Sequence, residues 1–529
     1  MPGSSEIPSL WRPFHTPIFR NLLLASVVSD IGAFMQTVGA AWLMVSLKAG
    51  PMYVALTQTA SALPFFIFAL PAGAIGDIVD RRKLILYTES WMVGVALVLA
   101  VLTLAGFVSP LPLLILTFAL SAGDAFESPS WRAVLPDLVK KEDLPAASAL
   151  NGIEFNFARA VGPGLAGLLI AAAGAGSAFL LNAVSFIGVI LVVRRWKPAP
   201  KKRITPPETV RGATVAAIRY VRYSPSIRTL LARSGLVMFF ASGLSALLPS
   251  LALIVKNSPT AYGLLLGCFG LGAVFGALVM QRARSRWSTE AVVSGGVAIF
   301  GLAILATSIL RSLPALSGVM LLAGSAWIVF LSLFNVLVLN HAPDWVRARV
   351  LAISTLVFQG AVAAGSAAWG AVAARFGIGA ALLCAGVGTI ATTALAPFLR
   401  LPDTTVDLTS WNHWRLPTTD ERALPTDDDF GPVLVTVEYQ VAAEKTAEFL
   451  AAVRQHRRIR RRDGARSWGI FRDMENADEY VETFIVASWA EHLRQHDRLT
   501  LADREAEERV QRYVRSESKV RHLISVAPR

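Results

Sequence analysis

Long, continuously apolar stretches separated by polar links fill the first 400 residues of this chain. A helix needs about 20 apolar residues to cross the hydrocarbon of a bilayer, and each stretch reaches that length. The stretches do not alternate polar with apolar residues, so helices are expected rather than a barrel. A mean hydropathy of +0.52 with only 16% charged residues also excludes an ordinary soluble protein.

We predict twelve spans, six on either side of a long polar link. They are placed at 18–47, 53–75, 83–106, 112–133, 147–171, 176–195, 233–255, 261–281, 291–310, 315–339, 350–373 and 378–399.

Lysine and arginine are concentrated in alternate links. The basic links hold Arg81, Arg82 and Lys83, then Lys140 and Lys141, then Arg194 through Arg228, then Arg282, Arg284 and Arg286, then Arg347 and Arg349. The links between them hold single cations, Lys48, Lys256, Arg311 or Arg375, or none, as at 106–111 and 173–176. By the positive-inside rule the basic links and both termini face the cytoplasm, which predicts a multi-pass protein of the inner (cytoplasmic) membrane.

The net charge of +13 follows this same pattern. The cations lie in links and in the tail, so we expect membrane lipid as their partner and no nucleic acid. Cys268 and Cys384 both fall inside spans, so no disulfide framework is predicted.

Composition divides the chain into five parts. We predict an N-terminal six-helix bundle at 1–195, a cytoplasmic linker at 196–232, a C-terminal six-helix bundle at 233–400, a second linker at 401–431 and a soluble domain at 432–529. Apolar residues at helical spacing predict an amphipathic helix over 208–223. A Pro-Asp pair recurs after the fourth and tenth spans, which suggests two related bundles around a central cavity.

The soluble tail has its own pattern. Strands are predicted at 433–439, 467–471, 482–487 and 520–526, with helices over 443–461 and, for the most part, 489–514. This β-α-β-β-α-β order is that of a small α+β ferredoxin-like domain.

The link after the second span contains Gly73, Asp77, Arg81, Arg82 and Lys83. Their spacing resembles the gating signature of the major facilitator superfamily, which implies a twelve-helix fold of two six-helix bundles. In that family the glycine permits close helix approach and the aspartate docks on a helix terminus across the bundle interface. The start of the eleventh span, near Arg349, is the expected partner of Asp77. A tight turn with ordinary positive-inside residues is the structural alternative.

The equivalent link in the second half keeps Gly276 and its cations but has Met280 in place of the aspartate. Gating is therefore assigned to the first half alone. In the fifth span, Gly162, Pro163 and Gly167 resemble the antiporter motif of facilitators, although two of its glycines are Ala158 and Ala166. The resemblance implies export, while plain helix packing is the alternative.

Ionisable residues inside spans point to function because each costs about 2.5–3.5 kcal/mol at a helix centre. In the first half they are Asp30, Asp124, Glu127, Glu154 and Arg159. A carboxylate that is alternately buried and hydrated can take up and release a proton, as proton exchange requires. We expect a coupling role for at least one of Asp30, Asp124 and Glu154. A static Arg159 ion pair, or a hydrated Glu127 near the interface, is the alternative.

The second half offers polar rather than charged candidates. Asn335, Asn340 and Gln359 are expected to line the cavity. Aromatic residues of both halves, such as Trp327 and Phe358, are expected to add apolar surface for an amphiphilic ligand.

Residues 481–496, 457–463 and 520–523, together with Gln36 to Val38 and Gly162-Pro163, resemble the transmembrane secretion effector branch of facilitators. Members include a siderophore exporter and macrolide-type efflux proteins. The tail resembles antibiotic-biosynthesis monooxygenases, which implies a homodimer through this domain. His492 and His496 are four residues apart on one helix face, but without an identified third ligand a solvated or dimer-contact face is expected, with no metal and no cofactor.

The predicted function is secondary active efflux of an amphiphilic small molecule, a siderophore, antibiotic or drug, by proton antiport with alternating access. The chain is therefore predicted not to be an enzyme. A membrane-tethered monooxygenase-like enzyme, whose helices deliver substrate to the tail, is the alternative, and a non-transporting sensor is a third. The sequence leaves open the substrate, the coupling ion, the acidic residue that carries the proton, the role of the tail and the oligomeric state.

Overall fold

The computed structural model describes residues 10–196, 210–402, 406–409, 411, 430–516 and 518–525. Its membrane helices are α1 (Pro17–Ser46), α2 (Gly50–Ile78), α3 (Arg81–Leu104), α4 (Pro110–Leu138), α5 (Leu144–Ala173), α6 (Ala175–Arg195), α8 (Pro225–Lys256), α9 (Pro259–Arg286), α10 (Thr289–Ile309), α11 (Leu313–Asn340), α12 (Asp344–Phe376) and α13 (Ile378–Ala391), with α7 (Val210–Tyr223) between the sixth and the seventh.

Twelve of these helices are long and apolar enough to cross a membrane, which confirms the predicted number. Several run further than hydropathy indicated. The seventh span begins at Pro225 rather than at 233, and the eleventh begins at Asp344 rather than at 350. Polar residues continue these helices beyond the apolar stretch because a helix satisfies its own backbone hydrogen bonds whether or not lipid surrounds it.

The described chain separates into two compact units. The first unit comprises residues 1–205, 231–335 and 352–401, and the second comprises 206–230, 336–351 and 402–529. Within the first unit, α1 packs on α5 and α6, α3 packs on α4 and α6, and α2 packs on α4. We call α1–α6 the first helix set and α8–α13 the second helix set.

The tail domain, residues 430–525, belongs to the second unit. Its strands β1 (Val433–Gln440), β2 (Ser467–Arg472), β3 (Glu479–Val486) and β4 (Lys519–Ile524) form an antiparallel sheet in the order β2-β3-β1-β4. Its helices are α14 (Thr446–Asp463), α15 (Trp489–Arg498) and α16 (Leu501–Gln511). The ferredoxin-like prediction is confirmed in element order and strand order.

Two local sequence features account for the helix break and the core of the tail domain. The second predicted helix is interrupted at Leu499, and Thr500 restarts it with a capping box in which Asp503 accepts from the Thr500 backbone. Every second residue of β1 faces inward, so that Val433, Val435 and Val437 pack on Phe449 of α14. The domain therefore has a hydrophobic core of its own.

The predicted amphipathic helix is confirmed as α7. It belongs to the second unit and packs against α14 of the tail domain. Its buried residues Ala216, Ala217 and Tyr220 lie at helical spacing, so one face is covered.

Candidate functional site

The first helix set encloses a cavity of about 570 Å³. Most of the polar residues in its lining come from α1, α4 and α5, and α3 adds Glu89. Its lining includes Ser26, Ser29, Asp30, Gln36, Thr37, Glu89, Asp124, Glu127, Ser128, Asn151, Glu154 and Asn182. Since all of these lie on spanning helices, we call this the acidic cavity.

Carboxyl groups line the acidic cavity in two neighbouring groups. Asp30 of α1 and Glu154 of α5 face the same part of this cavity and are close neighbours. Glu127 of α4 accepts a 2.6 Å hydrogen bond from the Thr88 hydroxyl, and Glu89 of α3 is its neighbour in the lining. Carboxyl groups that face one another in a buried site repel when both are ionised, and a proton on one of them relieves that repulsion. The site can therefore store protons inside the membrane.

The structure brings together four of the five ionisable residues that were predicted in the first half. Asp30, Asp124, Glu127 and Glu154 line one cavity. The static ion pair of Arg159, which was the alternative interpretation, is not seen among the described residues, where the Arg159 guanidinium lies over the Phe155 ring at 4.7 Å. This contact is a cation–π interaction rather than a carboxylate pair.

Two residues of the acidic cavity were missed in the sequence. Glu89 is only 3% exposed and was overlooked although it carries the same signal, a carboxylate inside an apolar span. Gln36 is buried, and neither its amide nitrogen nor its amide oxygen has a hydrogen-bond partner in the described protein. A buried amide without a protein partner is suited to bind water or a ligand group.

A second cavity, of about 650 Å³, lies between the two helix sets. We call it the aromatic cavity because rings from both sets line it. The rings are Phe34, Phe65, Tyr262, Phe269, Phe300, Trp327, Phe334 and Phe358. A few polar groups converge among them, including Gln58, Arg159, Asn335 and Gln359. This lining matches the usual ligand site, which is apolar with few orienting polar groups.

The three polar residues predicted to line the cavity in the second half lie in two different places. Asn335 and Gln359 line the aromatic cavity, whereas the expectation for Asn340 is wrong. Asn340 lies in the second unit, in a surface depression with Asp344 and Arg347. Phe34 and Thr37 line both cavities, so the acidic and aromatic cavities adjoin along α1.

Close packing joins the helix sets beside these cavities. A Cβ added to Gly167 of α5 would lie 2.8 Å from the Pro259 carbonyl oxygen of α9, and Trp42 stacks on Tyr262. The Thr59 hydroxyl donates to the Ala363 carbonyl, which joins α2 to α12. These contacts lie toward the ends of the helices that carry the cation-poor links. We call them the glycine seam.

The antiporter-like residues contribute to this packing in two directions. A Cβ on Gly162 would lie 2.8 Å from the Phe34 Cβ of α1, within the first set. Gly167 faces α9, and a Cβ on Gly263 would lie 2.6 Å from the Pro163 carbonyl oxygen. Small residues here let helix backbones approach closely, as the packing alternative predicted.

The gating motif is described in part. Arg81 forms a 3.1 Å ion pair with Asp137, and Arg82 donates to the Val193 and Arg194 carbonyls, so both arginines bind within the first helix set. Among the described residues, nothing lies within 4 Å of a Cβ on Gly73, so no close helix approach is seen there. The side chain of Asp77 lies outside the described part of the chain. The Lys83 side chain is exposed at the start of α3.

Within the second unit, the tail domain holds α7 and the start of α12. Arg219 of α7 donates to Glu491 at 2.9 Å, and Arg498 lies over the Trp345 ring at 4.6 Å. Burial alone would raise the pKa of Glu491, but hydrogen bonds from Arg498 and Arg219 hold it below its ordinary value. Glu491 therefore stays ionised at neutral pH and anchors α7.

Three histidines meet on another face of the tail domain. The statement that no third ligand accompanies His492 and His496 is wrong, because β4 places His522 beside them. Burial and the neighbouring His496 and His522 lower the pKa of His492 to about 3. His492 is therefore a neutral imidazole at cellular pH.

Comparison with known proteins places the chain among transporters. A family model described as transmembrane secretion effector matches residues 8–529. The multidrug efflux pump Tap of Mycolicibacterium fortuitum is 26% identical over 396 residues, which cover 72% of this chain and 94% of that protein. The staphyloferrin A transporter of Staphylococcus aureus is 24% identical, covering 71% and 94%. The enterobactin exporter EntS of Salmonella choleraesuis is 29% identical over 269 residues, covering 50% and 63%.

Solved structures share the fold. A bacterial homologue of the human lysosomal transporter Spinster, in an inward-facing and unoccupied conformation, superposes with a TM-score of 0.57. The match covers 73% of this chain and 96% of that one at 14% identity. The nucleoside transporter NupG superposes with a TM-score of 0.59 at 12% identity, covering 72% and 100%.

Proposed function

The chain belongs to the transmembrane secretion effector family, and we propose that it exports an amphiphilic small molecule from the cytoplasm by proton antiport. The family match and the relatives identify a transporter, not the alternative enzyme. The relatives named as efflux pump or exporter support outward transport of a drug, antibiotic or siderophore.

The adjoining cavities carry the proposal. The aromatic cavity has the size and lining of a site for a drug-sized ligand, with Asn335, Gln359 and Arg159 to orient it. Next to it, the acidic cavity holds five carboxyl groups, and protons are the simplest cargo for them. A substrate at Phe34 and Thr37 would contact both cavities.

The position of the glycine seam supports the proposal of alternating access. By the positive-inside rule the cation-poor links face outward, so the seam closes the external end while basic links and both termini face the cytoplasm. The described state is then one in which the cavities take substrate from inside. Rocking the helix sets would open the seam and release substrate outside.

Coupling is assigned to the Asp30–Glu154 pair, with Glu89, Asp124 and Glu127 as neighbouring proton sites. Proton entry from outside would neutralise the pair and favour release of a bound substrate. Asp77, with Gly73 and the basic cluster, keeps its proposed role as the cytoplasmic latch when that end closes. We further propose that the tail is a cytoplasmic, non-catalytic domain resembling antibiotic-biosynthesis monooxygenases, through which two chains pair.

Ethidium efflux tests this proposal. Cells loaded with ethidium would be de-energised, then re-energised at external pH 6 and at external pH 8 with the membrane potential collapsed. Antiport predicts faster efflux at the acidic pH, and Glu154→Gln abolishes the difference. The exposed Glu142 of the link before α5 provides the control Glu142→Gln, which keeps the parent rate. Equal rates at both pH values in cells that do export the dye would contradict proton coupling.

A further inference from the structure

Three imidazole rings from two separate elements converge in the tail domain. His492 and His496 come from one face of α15, and His522 comes from β4. One ring nitrogen from each of the three lies within 4.8 Å of the other two. The His492 and His496 Nε2 atoms are 3.0 Å apart, and the His492 and His522 ring centroids are 4.7 Å apart.

The 3.0 Å separation of the two α15 nitrogens is that of an N–H···N hydrogen bond, and a metal ion between the two rings would take the place of the shared proton. Zinc binds histidine nitrogens at about 2.0–2.1 Å, so two ligands in tetrahedral geometry are about 3.4 Å apart. The pair on α15 already has nearly this spacing, because residues four apart share a helix face. A small rotation of the third ring completes the set.

The surroundings of the ring nitrogens also favour coordination of a metal ion. His492 Nδ1 lies 3.4 Å from the Gln495 side-chain oxygen, which can accept its proton and leave the Nε2 lone pair directed toward His496. Metal-bound histidines commonly donate their second nitrogen in this way. The Nε2 of His522 is buried and has no hydrogen-bond partner in the described protein. A buried ring nitrogen of this kind lacks the contact that a metal would supply.

We propose that His492, His496 and His522 bind a divalent transition-metal ion of the type that prefers imidazole, with Zn²⁺ as its simplest representative. The three rings occupy three positions of a tetrahedron and leave the fourth for water or another ligand. Arg460 borders the same small cleft, but its charge is balanced by Glu482 at 3.5 Å. The cation therefore does not exclude a metal.

Such a site would act on the contacts that the tail makes inside the second unit. The helix that supplies two ligands also carries Glu491, which binds Arg219 of α7, and Arg498, which covers Trp345 of α12. A metal tying α15 to β4 would fix the position of this helix. Metal occupancy would then stabilise the attachment of the tail to α7.

Isothermal titration of the full-length protein with Zn²⁺ tests the site. The protein is purified in detergent, its affinity tag is removed and it is treated with chelator before titration. His496→Gln and His522→Gln are preferred to a change at the more buried His492, and the exposed His15→Gln is the matched control. We expect one Zn²⁺ per chain in the parent and in the control. Each site variant should bind at least about tenfold more weakly, because even a lost outer partner costs about 10–100-fold.

Cobalt supplies a second measurement with its own signature. Co²⁺ bound by three imidazoles in tetrahedral geometry should give strong visible absorption in the parent and in His15→Gln, and weak absorption in His496→Gln and His522→Gln. Hydrogen exchange of the tail strands, equal in all four proteins without metal, shows that the variants are folded. The proposal is overturned if the parent binds no stoichiometric metal, or if folded site variants bind it as tightly as the parent.

Discussion

Gly167 of α5 and Gly263 of α9 face each other so closely that a Cβ on Gly167 would lie 3.1 Å from the Gly263 Cα. The two helix sets meet here backbone to backbone, which only the smallest residues permit. A side chain at this position cannot be accommodated without moving backbone. Closure of the end with the cation-poor links, which we propose faces outward, therefore depends on these two glycines.

The first prediction concerns this seam. Gly167→Leu should hold the cation-poor end open and abolish ethidium efflux, because its side chain would collide with the Pro259 carbonyl. Gly164→Leu, on the same helix, should keep most of the activity, since a Cβ there meets open space. Equal efflux by the two variants, when equal amounts of both are present in the membrane, would show that the glycine seam takes no part in transport.

The second prediction concerns Glu89, the carboxylate missed in the sequence. Glu89→Gln keeps the size of the side chain but cannot exchange a proton. Efflux driven by an imposed pH gradient should fall by about tenfold or more, the effect of a barrier raised by about 1.4 kcal/mol. Substrate binding, measured as the ethidium concentration that gives half-maximal efflux, should change little. A large change in that concentration with an unchanged maximal rate would assign Glu89 to binding instead.

The third prediction concerns the pairing of α7 with the tail. Arg219→Leu removes the donor to Glu491, and hydrogen exchange of the α15 amides should become several-fold faster in the full chain. Arg222→Leu changes an exposed arginine of the same helix and should leave that exchange unchanged. Identical protection of α15 in both variants would show that this ion pair contributes nothing to the attachment.

The fourth prediction is a pH dependence in the tail core. Burial alone would raise the pKa of Glu482. Arg460 and His456, with hydrogen bonds from Trp468 and Tyr439, outweigh this effect and hold the pKa below its ordinary 4.5. A carboxyl group whose pKa is lower in the folded protein than in the unfolded chain stabilises the fold at pH values above its unfolded-state pKa. That stabilisation is lost as the pH falls through the folded-state pKa. Protection of the β1 and β3 amides should therefore decline below about pH 4.5.

Glu482→Gln tests the same group at neutral pH. This change leaves the buried Arg460 without its charge partner and should lower the free energy of unfolding by about 3 kcal/mol. The loss is near the low end for a broken buried ion pair because glutamine keeps two hydrogen bonds. The decline in protection at acidic pH should also become shallower. Glu475→Gln, in the exposed turn before β3, is the control. An unchanged acid profile in Glu482→Gln would contradict the assignment.

Much of the fold could be read from local sequence patterns. Twelve spans, the amphipathic α7 and the order of strands and helices along the tail follow from hydropathy and periodicity, which are properties of neighbouring residues. Helix ends were less well placed, since polar residues such as Asp344 continue a helix that hydropathy ends at the membrane surface. The cost of a charge inside a span drew attention to Asp30 and Glu154, which line one cavity in the structure.

The relationships between distant residues could not be predicted in this way. Nothing local pairs Asp30 with Glu154, or brings His522 of the last strand to two histidines of α15. An ion pair of Arg159 was only an alternative interpretation of the sequence, and the contact of its guanidinium with the Phe155 ring was not foreseen. Each of these contacts depends on tertiary packing, which one sequence does not specify residue by residue.

The central claim is that one central site reaches each side of the membrane in turn. Thr37 is exposed and lines both cavities, so Thr37→Cys in a background with Cys268→Ser and Cys384→Ser reports on that site directly. The measurement is its modification by a membrane-impermeant thiol reagent in everted and in right-side-out vesicles. Alternating access predicts labelling from both sides, with Gly167→Leu increasing it from the external side. Labelling from one side only, whatever the pH gradient, would contradict the account.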